Sequence, residues 1–388
     1  MKMLGSAQNF NITSTLIIIY AVFLAWRSPD NATYIPGIAS ILLFLLYGKF
    51  KLQVYIGIVA VTISILFLSL FQDGDITGPI KVLSCLTAFF LMKRLTKEVS
   101  LFPPLLFKRI FKNLIWFVVV YLVVEVILRI FYGHLFYDAS LINSLDYGIQ
   151  DLYSLGFFPF YSYKDGSPFF TDSNFTGLFI FIWFIVFVHF KEVIFSKKIA
   201  YFLTFLFLVL AFLTFSRTLY AAILLVYIGF MLLGRLTKFW AMAIYVVVGL
   251  IMGWFLLYFG SFLADDASLQ TKFGIWGSLI NNFIEVDLFN QLFGFGLIEG
   301  KYVFSYEFGK SSHALIPQLF GDIGIIGTLI YCSLLFLIFA KVEKGFLYFM
   351  AIMLMGSSLF DPWDPVYFAA MGILSAVPNI KKFERNYL

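Results

Sequence analysis

The chain has 388 residues, 61% of them hydrophobic and 13% charged, with a mean hydropathy of +0.93 and a formal net charge of +5. Soluble domains run at about 45 to 50% apolar and about 25% charged, so this composition excludes one and marks an all-α, polytopic membrane protein. The positive balance is no nucleic-acid signal, because membrane topology accounts for where the basic residues sit.

Taken in order, the apolar runs predict about twelve spans, at residues 10–26, 33–47, 52–71, 76–92, 113–133, 171–190, 199–214, 218–234, 239–260, 313–340, 345–360 and 364–380. The first run follows Lys2 and has no small-residue cleavage site before Trp26, so it reads as a retained helix and not a removed leader. Charge asymmetry orients the set. With the N-terminus inside, the cytoplasmic ends collect Lys49 and Lys51, then Lys93, Arg94, Lys97, Lys108, Arg109 and Lys112, then Lys191, Lys197 and Lys198. Lys341, Lys344, Lys381, Lys382 and Arg385 follow the same side, while Asp146, Asp172, Asp266, Glu285, Asp287 and Glu299 fall outside. The positive-inside rule therefore predicts an even number of spans and two cytoplasmic termini.

Two outer segments are far longer than the other connections, 134–170 and 261–312. Long loops on a membrane scaffold usually carry function, and these read as two periplasmic lids on a single transmembrane domain covering 1–388. Within the second, Ile275, Trp276, Leu279, Ile280, Phe283 and Ile284 recur at helical spacing, which predicts an amphipathic helix on the outer leaflet. Cys85 and Cys332 sit in separate apolar runs with no metal-ligand spacing, and read as packing residues.

Few polar residues stand where chemistry is plausible. Arg217 is the only charge between Tyr201 and Leu233, at a predicted helix junction, where it suits either an outer anion, snorkelling, or capping of the preceding helix. Lys272 precedes the amphipathic stretch and reads as a solvated charge or an anion ligand. Gly294 and Gly296 supply turns, since their spacing is too weak for a nucleotide fingerprint. His313 opens the next span as an interfacial histidine or a base. Asp172 and Asn174 open the sixth span, where one of them can cap the helix. Glu125 and Arg129, four apart, share a helix face and predict an internal ion pair.

Read together, these positions resemble the O-antigen polymerase and ligase superfamily. Gly166 followed by Asp172-Ser173-Asn174 is similar to its Gly and Asp-Pro-Asn element, and Ser216-Arg217 to its Ser-Arg element. Lys272, Trp276 and Gly294-Phe295-Gly296 resemble the Arg, Trp and Gly-x-Gly of its last large periplasmic loop. Ser312-His313-Ala314, then Gly321-Asp322-Ile323-Gly324-Ile325-Ile326-Gly327, resemble its His-Asn element and following helix. The likeness covers about 164–330. Three positions depart: Lys272 replaces the loop arginine and loses its bidentate fork, Ala314 replaces the asparagine, and Ser173 the proline. Those losses favour polymerase over ligase.

The resemblance implies a GT-C-like glycosyltransferase in the bacterial inner membrane, inverting, with neither metal nor cofactor. The donor is a glycan on undecaprenyl diphosphate and the acceptor a second lipid-linked repeat unit; membrane lipids and a chain-length regulator are its implied partners. In that reading Arg217 and Lys272 bind the diphosphate, His313 is the base, Asp172 or Asp322 orients or replaces it, and Asn174, Trp276, Gly294 and Gly296 line the substrate. Transfer to lipid A core by a ligase, and transport or flipping of the lipid-linked glycan, are the alternatives.

Overall fold

The computed structural model describes residues 34–47, 50–71, 77–100, 104–135, 169–170, 173–214, 216–233, 267–297, 299–358 and 360–378. The described residues are helical, with no strand among them. The helices are α1 Tyr34–Tyr47, α2 Leu52–Phe71, α3 Thr77–Ser100, α4 Pro104–Leu135, α5 Ser173–Ile194, α6 Lys197–Phe212 and α7 Arg217–Leu233. They continue with α8 Ala267–Asn282, α9 Leu288–Phe293, α10 Gly300–Val303, α11 Leu315–Ala340, α12 Gly345–Gly356 and α13 Pro365–Ala376. The predicted spans at 10–26 and 239–260, residues 136–168 of the first long loop, and Asp172 lie outside the described residues.

Every other predicted span falls on a helix. Among the described residues, three helical stretches are long and apolar enough to cross a membrane: Phe107–Arg129, Asn174–Ile194 and Leu315–Ala340. Two helices overrun their apolar runs. α3 continues through Lys93, Arg94 and Lys97 to Ser100, and α4 starts at Pro104 rather than near residue 113. Lys and Arg are good helix formers, and proline is at home in a first turn, so polarity ends the apolar span without ending the helix.

The chain divides into two compact units. One comprises 1–58, 81–220 and 363–388, the other 59–80 and 221–362. At the centre of the first unit lies α5, buried on every face from Leu178 to Val188, as expected of a helix that is apolar all round. α4, α6 and α13 pack against it. Lipid is as apolar as leucine, so shape and van der Waals contact, not exclusion from water, must hold such helices together. Rings do much of this. Phe111 lies tilted 4.9 Å from Phe190, and Phe187 stacks 5.3 Å from Phe207. Such pairs contribute about 0.5 to 1.5 kcal/mol beyond their area. α13 closes on α3 at Gly372, where a methyl group would meet the Phe89 carbonyl and come within 3.0 Å of the Lys93 amide nitrogen. Near the end of α5, the His189 ring lies 2.9 Å from the carbonyl of Val377.

One polar cluster interrupts this core. Arg129 donates to Glu125 Oε1 through Nε at 3.0 Å and Nη2 at 2.5 Å, and Nη2 also donates to Thr176 of α5. Thr176 in turn donates to Glu125 Oε1 at 3.2 Å. The ion pair expected from the spacing is therefore present, fully buried, and tied to a second helix.

In the second unit, α8, α9, α10 and α12 all pack on α11. α11 is one helix broken at Gly324 (φ 63°, ψ −170°). The break has a partner: the amides of Phe295 and Gly296 donate to the carbonyls of Gly321 and Asp322 at 2.7 and 3.2 Å, which the broken helix leaves free.

Candidate functional site

The functional candidates divide between the two units. In the first, Arg217 is the first residue of α7 and is exposed. Its helix starts because Ser216 offers its carbonyl to the Tyr220 amide at 3.2 Å, while Thr214 Oγ1 accepts the Ser216 amide at 3.3 Å. The last carbonyls of α6 are met elsewhere: Tyr220 donates its hydroxyl to Phe212 O at 2.6 Å, and Thr214 to Ala211 O at 2.7 Å. A cation at a helix N-terminus opposes the helix dipole, so this position adds the guanidinium to a pole that is already positive.

α5 begins beside it. Gly177, in the second turn of α5, lies so close that a Cβ there would sit 3.3 Å from Ser216 Cβ and 3.4 Å from Leu219 Cδ2. The first turns of α5, from Ser173, and the Ser-Arg element that opens α7 are thus brought together, with two helix N-termini side by side. Asn174, in the first turn of α5, is half-buried.

The second unit gathers the remaining candidates on α11. Lys272 and Trp276 stand on α8, both half-buried. The Trp276 indole donates to Ser357 O at 3.3 Å, which spends its only donor on α12's end. The helix predicted here is present, but its apolar residues divide: Ile275 and Leu279 are buried, whereas Ile280 and Ile284 are 68% and 81% exposed. Asp287 caps α9, accepting the Asn290 amide at 3.0 Å and its side-chain amide at 2.7 Å.

Those bonds, the Asn290 backbone N–H first and its side chain next, hold the Asp287 carboxyl below its ordinary pKa of 3.8. A folded-state pKa lowered in this way stabilises α9 above the unfolded value, and the contribution is lost as pH falls through the lowered one. Amide protection of Leu288 to Phe293 in hydrogen exchange is therefore expected to fall on acidification below about pH 4. It is expected to be weak at every pH in Asp287→Ala, and largely retained in Asp287→Asn, which still caps.

The glycine segment is built for close approach. Gly294 takes φ 79°, and a Cβ there would lie 2.6 Å from the backbone of both Asp322 and Ile323. Gly300 and Gly321 touch backbone to backbone, leaving no room for any side chain on either. Glycine here is a packing requirement as well as a turn. Asp322 is buried in this contact and accepts Gln318 Nε2 at 3.4 Å through Oδ2. His313, just before α11, is half-buried. Its carbonyl accepts the Phe360 amide at 2.8 Å, and its Nδ1 lies 2.8 Å from Ser311 Oγ. Ser311 is the polar partner that sequence reasoning missed; only its place two residues before a candidate base pointed to it.

No group of three or more metal-ligating side chains occurs among the described residues. Compared with protein-family models, with curated proteins and with solved structures, the chain matches none.

Proposed function

We propose that the chain is a membrane glycosyltransferase of the O-antigen polymerase kind, joining undecaprenyl-diphosphate-linked repeat units at the periplasmic face of the bacterial inner membrane, with both termini cytoplasmic. The observation that carries this reading is the meeting of α5 and α7: two helix N-termini and the exposed Arg217 guanidinium share one place, as Gly177 abuts Ser216 and Leu219. Backbone N–H groups, aligned dipoles and a guanidinium suit a diphosphate better than any neutral ligand.

In the proposed reaction the acceptor hydroxyl attacks the anomeric carbon of the donor glycan. The bond from that carbon to the diphosphate oxygen breaks, charge collects on undecaprenyl diphosphate, and the hydroxyl proton passes to His313. The resemblance assigns Arg217, and second Lys272, to the departing charge, which is electrostatic catalysis. Imidazole is the side chain best suited to base work near neutral pH. Ser311, by accepting from Nδ1–H, would leave the Nε2 lone pair for the acceptor. Two lipid anchors in one membrane supply proximity without a cofactor. Buried Asp322 acts in this reading through the α11 break, and a chain-length regulator is the expected protein partner.

The test is turnover by detergent-purified protein given lipid-linked repeat units, with and without lipid A core. Longer glycans on undecaprenyl diphosphate without core are expected. Transfer to core alone would make the protein a ligase, and no transfer combined with uptake of lipid-linked glycan by proteoliposomes would make it a transporter.

A further inference from the structure

The first unit carries a second charged feature, at the end of its helices that holds the start of α4 and the end of α5. Phe107 and Phe111 of α4 pack on Phe190 at 5.8 and 4.9 Å, so Lys108, Arg109 and Lys112 stand beside Lys191. α6 begins two residues after α5 ends and brings Lys197 and Lys198 to the same end. Trp116 of α4 lies 6.4 Å from Phe202 of α6, which fixes that pairing.

α3 adds a third edge. Arg94 lies 5.0 Å over the Phe50 ring and pairs with Glu98 at 2.7 Å, while Lys93 lies 5.3 Å from the Phe89 ring. Lys97, Arg109, Lys112, Lys197 and Lys198 are exposed, and among the described residues of these helix ends only Glu98 and Glu192 are acidic. Beneath the cations the core is apolar, with Leu95, Val99, Phe107, Ile110 and Phe111 buried.

Cations set on an apolar base at one end of α4 and α5, both long and apolar enough to cross a bilayer, lie at headgroup depth. Their stems can rest on hydrocarbon while the charged tips reach phosphate. A soluble acidic partner would explain the charge but not the apolar base and the membrane-length helices behind it. We infer that the ends of α3, α4, α5 and α6 form a binding belt for acidic phospholipids, recognising their phosphodiester headgroups in the leaflet they meet, which the excess of basic residues makes the cytoplasmic one. This does not depend on the glycosyltransferase reading.

The experiment uses the full chain in detergent micelles, titrated with phosphatidylglycerol or phosphatidylcholine and read by native mass spectrometry and thermal unfolding. Phosphatidylglycerol is expected to be retained at least about tenfold better. The triple variant Lys108→Gln, Arg109→Gln, Lys112→Gln is expected to lose most of that preference, and Lys197→Gln with Lys198→Gln to lose part of it, whereas Lys301→Gln with Lys310→Gln keeps it. Equal retention of the two lipids by the unaltered protein would overturn the inference, whether or not the variants fold. So would a wild-type preference in the folded triple variant, or displacement of the lipid by water-soluble glycerol phosphate as effective as by phosphatidylglycerol.

Discussion

Arg217→Ala and His313→Ala will each stop extension of lipid-linked glycan while protein levels stay normal, leaving surface lipopolysaccharide with a single repeat unit. The protein should persist because Arg217 is exposed and His313 is half-buried, so neither truncation opens the core. The chemical losses have different origins. In the proposed reaction Arg217 faces charge that grows as the diphosphate leaves, and removing one such donor costs about 10²- to 10³-fold in rate. In the same proposal His313 takes a proton, a contribution of about 10²- to 10⁴-fold. Arg217→Lys separates charge from geometry: lysine keeps the cation but not the two-pronged fork, so partial activity is expected. A third variant, Ser311→Ala, should lower turnover without changing substrate affinity if the hydroxyl acts through the His313 ring, whose Nδ1 it meets at 2.8 Å. Normal long chains from Arg217→Ala and His313→Ala would remove both residues from the reaction.

What the sequence made legible was the apolar period, and what it hid was contact between distant segments. Hydropathy located α1 to α7 and α11 to α13 but not the short α9 and α10, and it stopped α3 at Met92, because it reads the membrane and not the hydrogen-bond ladder that continues to Ser100. The run Leu315–Ala340 read as one span; the break at Gly324 exists because Phe295 and Gly296 take the carbonyls of Gly321 and Asp322, a pairing across more than twenty residues. Likewise α8 had a visible helical period, but which of its apolar residues are covered is decided by α11, so Ile275 is buried and Ile280 is not. Of the candidate site, the residue types were readable and two groupings were not: the abutment of Gly177 on Ser216, and Ser311 on His313. Both join segments whose separation, or whose backbone turn, no period encodes.

The buried pair in α4 yields the largest stability effect. Glu125→Ala and Arg129→Ala are each expected to lower stability by about 3 to 5 kcal/mol, since either leaves an uncompensated charge in a buried site. Glu125 is 0% and Arg129 4% exposed, so solvent relieves neither. Removing both charges is a different experiment: Glu125→Leu with Arg129→Met exchanges a desolvated pair for apolar packing, which costs far less than either single change and can be neutral. Thr176→Val tests the link to α5. It deletes the hydroxyl that both partners use, and the loss should be about 1 to 2 kcal/mol, the range for leaving a buried partner short of one hydrogen bond. Thermal unfolding in micelles gives the order directly, with Asn113→Ala, an exposed residue of the same helix, as the reference. Salt supplies an independent check. Exposed pairs weaken over a Debye length of about 10 Å at 0.1 M, but buried ones barely respond, so the single-variant losses should be nearly the same at low and high salt. If the single variants unfold no earlier than Asn113→Ala, then the pair is not what fixes α4 to α5, and the aromatic contacts of Phe107 and Phe111 with Phe190 and of Tyr121 with Phe179 must carry that interface.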